Sequence, residues 1–237
     1  MKKKIIVTGG DGRFAKILKK HNKDLNLFFF SKKKLDILNF KSIESVFRKF
    51  NPKIVIHCAG LSRPMILHEK KISKSIDLNI IGTANITKVC EKYKIKLIYF
   101  STGYVYEGIK GNYKEVDAVK PFNNYGLSKL GGECSVAMYR NSLILRIQMT
   151  EKPFQYKRAF TNVKTNFLYH EDVVQILPKL LNKKGIINVG GLPQSIYSFA
   201  KKNNPLVKKI KAKKNKSLPF NQTMDVHKLN KIIKNIL

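Results

Sequence analysis

Lys4-Ile5-Ile6-Val7-Thr8-Gly9-Gly10-Asp11-Gly12-Arg13-Phe14-Ala15, near the N-terminus, decides the fold. Ile5, Ile6 and Val7 form an apolar run suited to a buried strand. Phe14-Ala15-Lys16-Ile17-Leu18 then continues with helical character. Between them, Gly9 permits a tight turn, and Gly12 lets the backbone approach a phosphate with no Cβ in the way. Ala15 stands where a third glycine often sits, and its methyl group still allows close helix–strand packing. A strand turning through such a loop into a helix sets a pyrophosphate on the helix N-terminus. The plainer alternative is an ordinary glycine-rich turn.

Working outward, strand and helix alternate, which argues for an α/β fold with a doubly wound, Rossmann-type parallel sheet. Leu25 to Phe30 reads as a second strand. Ser42 to Phe50 reads as an amphipathic helix with Ile43, Val46, Phe47 and Phe50 on one face. Lys53 to Cys58 is a strand ending at Ala59-Gly60, and a long helical stretch follows from about His68 to Tyr93, with Gly82 inside it. Ile95 to Phe100 is the next strand, ending at Ser101-Thr102. A helix carrying Tyr125 and Lys129 comes after Pro121, and Leu143-Ile144-Leu145 is one more buried strand.

Beyond Arg146 the pattern loosens. Glu171 to Leu181 reads as helix, Ile186 to Val189 as strand and Asp225 to Leu237 as helix, with a basic, poorly patterned stretch from Lys201 to Lys216. The expected organisation is a dinucleotide-binding domain over 1–147. A small, discontinuous substrate lobe over 148–237 would interleave with the end of the core.

At 237 residues, 43% hydrophobic and 10% aromatic, the chain can bury one sizeable core. No apolar run approaches the roughly 18 residues of a membrane span, so no membrane partner is expected. Met1-Lys2-Lys3-Lys4 resembles a signal-peptide start, but only three strongly apolar residues follow before Thr8-Gly9-Gly10, which suits a first strand instead. Cys58, Cys90 and Cys134 are odd in number, widely spaced and in apolar or helical contexts. They read as buried thiols in a reducing cytoplasm, not a disulfide frame or zinc site.

The formal charge of +32 raises the question of nucleic acid. The basic residues are overwhelmingly lysine, spread along the whole chain without interleaved aromatics, which argues against a dedicated nucleic-acid surface. A positive field around a cleft would still attract an anionic nucleotide sugar. His170-Glu171-Asp172 sits where a helix begins, so capping explains its acids better than a metal does. His57, inside an apolar strand, reads as a core residue.

Tyr125 and Lys129 stand on adjacent turns of one helix. A tyrosine pKa near ~10 is high for proton exchange at neutral pH. A neighbouring ammonium favours the phenolate and makes the phenol a usable acid toward a carbonyl oxygen. Thr102, at a strand's C-terminal end, can hydrogen-bond the same oxygen. Two solvated side chains on a helix are the plain alternative.

Val7-Thr8-Gly9-Gly10-Asp11-Gly12-Arg13-Phe14-Ala15, Leu35-Asp36-Ile37, Ile56-His57-Cys58-Ala59-Gly60, Ser101-Thr102-Gly103-Tyr104-Val105-Tyr106-Glu107-Gly108 and Pro121-Phe122-Asn123-Asn124-Tyr125-Gly126-Leu127-Ser128-Lys129 occur in that order. With them the chain resembles an extended short-chain dehydrogenase/reductase, and within that group the dTDP-4-dehydrorhamnose reductase family and its sugar-nucleotide relatives. The resemblance covers about residues 4 to 147.

It implies Tyr125 as proton donor, Lys129 as the group that lowers its pKa and holds the nicotinamide ribose, and Thr102 as the group polarising the keto oxygen. Gly9, Gly12, Arg13 and Phe14 would hold the pyrophosphate, and Asp36 and Ile37 would border the adenine. Cys58, Ala59 and Gly60 would line the cofactor's path. Asn79 matches the family's helix asparagine, a structural residue more often than a catalytic one. A homodimer through two long helices is expected on the same ground.

Cofactor choice has a local signal. Enzymes of this topology that use NAD usually place an acid after the second strand. Here Ser31-Lys32-Lys33-Lys34 stands there, a hydroxyl and several ammoniums that suit a 2′-phosphate, so NADP(H) is favoured with NAD(H) possible.

Gly103-Tyr104 lacks the acid pair of the family's dehydratases. Ser62, Arg63, Tyr104 and Gln148 are positional candidates for substrate binding, and no metal is expected. The implied activity is NAD(P)H-dependent reduction of a 4-keto-6-deoxy nucleotide sugar, with hydride going to C4. The alternatives are an NAD-dependent sugar-nucleotide 4-epimerase and a non-catalytic dinucleotide-binding regulatory subunit.

Overall fold

The structure is a computed structural model that describes residues 3–213 and 219–234. Six strands form one sheet: β1 (Ile5–Thr8), β2 (Leu27–Phe30), β3 (Ile54–His57), β4 (Lys96–Phe100), β5 (Ser142–Ile147) and β6 (Gly185–Val189). They lie in the order β6-β5-β4-β3-β1-β2, and every pairing is parallel. Parallel strands covered on both faces need apolar residues at successive positions, and Ile5-Ile6-Val7, Ile54-Val55-Ile56 and Leu143-Ile144-Leu145 are all buried.

The helices are α1 (Arg13–His21), α2 (Phe40–Phe50), α3 (Gly82–Lys92), α4 (Asn124–Ala137), α5 (His170–Leu180) and α6 (His227–Lys234). Strand alternation sends Ile5 and Val7 to one face, where Phe14 and Leu18 of α1, Val173 and Leu177 of α5 and Leu229 of α6 cover them. Ile6 points the other way, to Ile43 and Phe47 of α2, Ile86 and Val89 of α3 and Val136 of α4. The doubly wound α/β fold is therefore as expected. Strand order reverses between β1 and β3, so the loops after their carboxyl ends diverge and leave a crevice for a ligand.

Two expectations need correction, the helix after β3 and the burial of the cysteines. The stretch from His68 to Tyr93 is not one helix. Short helices at Ile66–Lys70 and Ile72–Ser75 lead through a wide π-turn, Ile76–Ile81, into α3. The side chain of Asn79, in that turn, bonds the loop after β3 and the helix α4, and such turns recur where a side chain is diverted to a site.

The chain beyond residue 147 is shared between core and lobe. α5, β6 and α6 complete the Rossmann layer, and only three short strand pairs with their connections form the lobe. Those pairs join Met149–Thr150 to Leu168–Tyr169, Arg158–Phe160 to Lys208–Ile210 and Lys164–Thr165 to Gln194–Ser195. Finally, Cys134 is exposed on α4, whereas Cys90 is buried and Cys58 half-buried. Met1 and Lys2 of the basic start, Lys214 to Lys216 of the basic stretch and the last three residues of the expected C-terminal helix lie outside the described residues. Among the described residues, no helix is long and apolar enough to cross a membrane.

Candidate active site

A cavity of about 970 Å³ opens at the carboxyl ends of β1, β3 and β4, between the sheet and the C-terminal lobe. Gly9, Gly12, Arg13 and Phe14 form one wall, Cys58 to Arg63 a second, and Thr102, Tyr104, Tyr125 and Lys129 the floor, with Gln148 and Glu151 coming from the far side.

Gly9 has φ +67, and a Cβ there would stand 2.8 Å from the Ala59 backbone, so the β1 and β3 loops meet only through glycine. Gly12 caps α1 without a side-chain bond. The first-turn N–H groups of α1 have no partner within the helix, and they belong to residues that line the cavity. A cradle with an open backbone and a helix N-terminus fits a pyrophosphate, so the residues present suit a dinucleotide.

Ser31, Lys32, Asp36 and Ile37 lie outside the cavity lining. Ser31 and the exposed Lys32 follow β2 directly, and the Asp36 carboxylate accepts the N–H of Leu38. Ile37 is a correction. Its buried side chain packs beneath Gly82 of α3, a core position rather than a cofactor contact.

Two local devices bring Thr102 and Tyr125 together. Thr102 ends β4, and its Oγ1 accepts the N–H of Tyr104 at 3.2 Å, capping a single 3₁₀ turn over Gly103–Val105. Asn123 caps α4 by accepting the N–H of Gly126 at 2.8 Å, which puts Tyr125 in the first turn and Lys129 one turn on. A Cβ at Gly126 would lie 2.4 Å from the Tyr104 carbonyl oxygen, so only glycine allows this approach.

Burial raises the Tyr125 pKa, while the Thr102 hydroxyl, Arg63 and Arg13 pull it back. The Lys129 ammonium stands over the Tyr99 ring, 4.2 Å from its centroid. Burial brings Lys129 down to about 7, with Cys58 and Glu133 opposing the shift. Burial likewise raises Cys58 to about 12, so that thiol stays neutral, and lifts Tyr104 to about 12. The Tyr104 ring meets Tyr125 edge-on at 5.7 Å and Phe122 at 5.3 Å.

Gln148 lines the cavity from the far side. It is buried, its Nε2 donates to the Gln222 carbonyl at 2.7 Å, and its Oε1 accepts from Asn166 N–H at 3.2 Å and from the Thr165 hydroxyl. Its amide ties the end of β5 to the late chain, with one Nε2 N–H engaged by the Gln222 carbonyl. It also fills the space beside Gly103, where a Cβ would lie 2.6 Å from its Nε2. The missing acid at 103 and this glutamine are one packing solution.

His57 is core, bonded by Thr8 at 2.8 Å and Thr83 at 3.1 Å. Asp172 accepts the Tyr169 N–H and caps α5, as expected of an acid there. Asn79 bonds both the N–H and the carbonyl of Leu61 and donates to Ser128, fixing the Gly60-Leu61 loop against α4. Among the described residues, no His/Cys/Asp/Glu group is arranged to hold a metal.

Arg63 and Ser62 do face the cleft, and with them comes Glu151, which carries no sequence motif. Arg13 and Arg63 each reach it at 2.9 Å, and Arg13 also donates to Ser62 at 3.0 Å. Burial raises the Glu151 carboxyl, but the facing Arg63 and Arg13 hold it below the usual carboxylate range. The available signal was scarcity: with 15 acids against 47 basic residues, an acid in a loop after a core strand stands out.

This cradle, and a Thr–Tyr–Lys set beneath it, define a dinucleotide-binding Rossmann protein of the extended short-chain dehydrogenase/reductase kind. The chain belongs to the RmlD substrate binding domain family, whose match runs over residues 2–170. It is 34% identical over 102 residues to methionine adenosyltransferase 2 subunit beta of Xenopus laevis, covering 43% of this chain and 30% of that protein.

It is 25% identical over 179 residues to a dTDP-4-dehydrorhamnose reductase of Aggregatibacter actinomycetemcomitans, covering 73% of this chain and 60% of the relative. These alignments thus span 30% and 60% of the curated relatives' own length. Among solved structures, the dTDP-4-dehydrorhamnose reductase of Bacillus anthracis in complex with NADP superposes with TM-score 0.85 at 24% identity, over 97% of this chain and 91% of the other.

Proposed function

We propose that this protein is an NAD(P)H-dependent reductase of a 4-keto-6-deoxy nucleotide sugar. The observation that carries the proposal is the convergence of Thr102, Tyr125 and Lys129 on the floor of a cavity whose rim is a dinucleotide cradle. Gly9, Gly12, Arg13 and Phe14 hold the pyrophosphate, and Cys58, Ala59 and Gly60 line the path inward. Asp36 borders the adenine, and Ser31 and Lys32 receive a 2′-phosphate. NADP bound to the Bacillus anthracis neighbour supports that choice, and NAD bound to the Bordetella bronchiseptica neighbour WbmG keeps NAD(H) possible.

The chemistry supplied in that cradle is a hydride, delivered to C4 of the keto sugar. Tyr125 donates the proton to the oxygen on which charge develops, and its raised pKa keeps the phenol protonated before the step. Thr102 donates a hydrogen bond to the same oxygen. The Lys129 ammonium holds the ribose hydroxyls and stabilises the proton-depleted Tyr125. Exposed Ile72, Ile76 and Ile81, with Leu127 on α4, offer an apolar face for pairing two copies.

A panel of 4-keto-6-deoxy nucleotide sugars tests the proposal through NADPH oxidation, followed by absorbance. Turnover by wild type that disappears in Tyr125→Phe supports it; absence of turnover with NADPH bound overturns it.

A non-catalytic subunit is the second reading, favoured by the 34% identity to a subunit of methionine adenosyltransferase. It predicts dinucleotide binding without turnover of any sugar. An epimerase, the remaining alternative, would retain NAD through purification.

A further inference from the structure

The Arg13–Glu151–Arg63 bridge is built from three separate pieces of the fold. Arg13 is the first residue of α1, Arg63 belongs to the loop after β3, and Glu151 comes from the lobe just past Met149–Thr150. The Glu151 carboxylate takes Arg13 Nη1 at 2.9 Å on Oε1. It takes Arg63 Nη1 at 2.9 Å on Oε2 and 3.2 Å on Oε1, and the Thr150 hydroxyl at 3.3 Å. The arginine side chains are 45% and 32% exposed and that of Glu151 20%. Ion pairs this wet are weak and exchangeable. They also stand beside the α1 N-terminus, where phosphate is favoured.

Given the nucleotide-binding role proposed above for this cleft, we infer that Glu151 is a built-in competitor for a diphosphate. It occupies Arg13 and Arg63, and it ties the lobe to the cradle until a ligand diphosphate takes its place. A diphosphate carries more charge than one carboxylate and presents oxygens to both guanidinium forks at once. Exchange therefore keeps the arginines paired and frees the lobe strand after Thr150. The diphosphate can belong to the dinucleotide or to the nucleotide sugar, since both pass the same rim.

The test is binding, not turnover, with two probes: NADPH followed by its fluorescence and dTDP followed by calorimetry. Two partly exposed ion pairs hold the closed state, so Glu151→Gln tightens the displacing ligand by about three- to tenfold. Glu151→Asp, too short to reach both arginines, retains the charge and tightens it less. In an Arg63→Ala background the gain shrinks, because ligand and carboxylate then compete for Arg13 alone, and in an Arg13→Ala/Arg63→Ala background it disappears.

Tightening of NADPH alone assigns the exchange to the dinucleotide, and tightening of dTDP alone assigns it to the substrate. Probes that bind wild type, Glu151→Gln and Glu151→Asp equally overturn the inference, as does a gain that survives in Arg13→Ala/Arg63→Ala. Failure of the reductase assay with these binding gains intact overturns the function and leaves the competitor role standing. Binding of neither probe to any variant overturns both.

Discussion

The most demanding prediction concerns Glu133 and Arg146, which lie behind Thr102. Their side chains are 4% and 5% exposed, with Arg146 Nη2 2.6 Å and Nε 3.0 Å from Glu133 Oε1. Glu133 Oε2 also accepts the Ser101 hydroxyl at 2.6 Å, and Arg146 Nη1 donates to Tyr106 at 2.8 Å.

Glu133→Ala removes the counter-charge and leaves a guanidinium in the interior, a change that costs about 3–5 kcal/mol. Against a whole stability of about 5–15 kcal/mol this is a large fraction. At about 2–4 °C per kcal/mol for a domain of this size, the melting point falls by about 6–20 °C. Circular dichroism melts and urea titrations at pH 7 measure it.

Glu133→Leu combined with Arg146→Met removes both charges, and Tyr106 keeps its bond to Asn188. The double variant recovers to within about 1–2 kcal/mol of wild type, because an apolar pair of similar volume replaces the ions. A loss under about 1 kcal/mol in Glu133→Ala, or a double variant no better than the single, refutes the uncompensated-charge account.

Burial lowers His57 to about 3, so the native state excludes a proton that the unfolded chain accepts below its ordinary value near ~6.5. Stability from this group is complete above that value and falls by up to about 1.4 kcal/mol per unit as pH drops toward 3; a melt series for wild type against His57→Asn should show the shallower slope in the variant. Gly9→Ala forces a positive φ and a contact 2.8 Å from the Ala59 backbone, so dinucleotide affinity should fall at least tenfold by fluorescence titration, about 1.4 kcal/mol. Lys32→Glu should weaken NADPH far more than NADH, and equal weakening of both would remove the 2′-phosphate assignment.

Much of this molecule is legible along the chain because its decisive features are local. A strand buried on both faces must be apolar at successive positions, so β1, β3, β4 and β5 announce themselves. A cradle at a helix start needs glycines at set offsets, and Tyr125 and Lys129 meet their tasks through a helical spacing. Fold class and the Thr–Tyr–Lys set follow from such short-range rules.

What packs across distance is silent in the sequence. Gln148 is held by three partners from residues 165, 166 and 222 while it lines the cavity. The Ile37 side chain fills the space that Gly82 leaves open in the core. The expected long helix is interrupted at Lys71 and widened over Ile76–Ile81, where Asn79 bonds the Leu61 backbone. Arg13 and Arg63, far apart in sequence, both act on Tyr125. Glu151 gains its partners only when the lobe folds back over the cradle, since hydrogen bonds and charges act over a few ångströms whatever the separation along the chain.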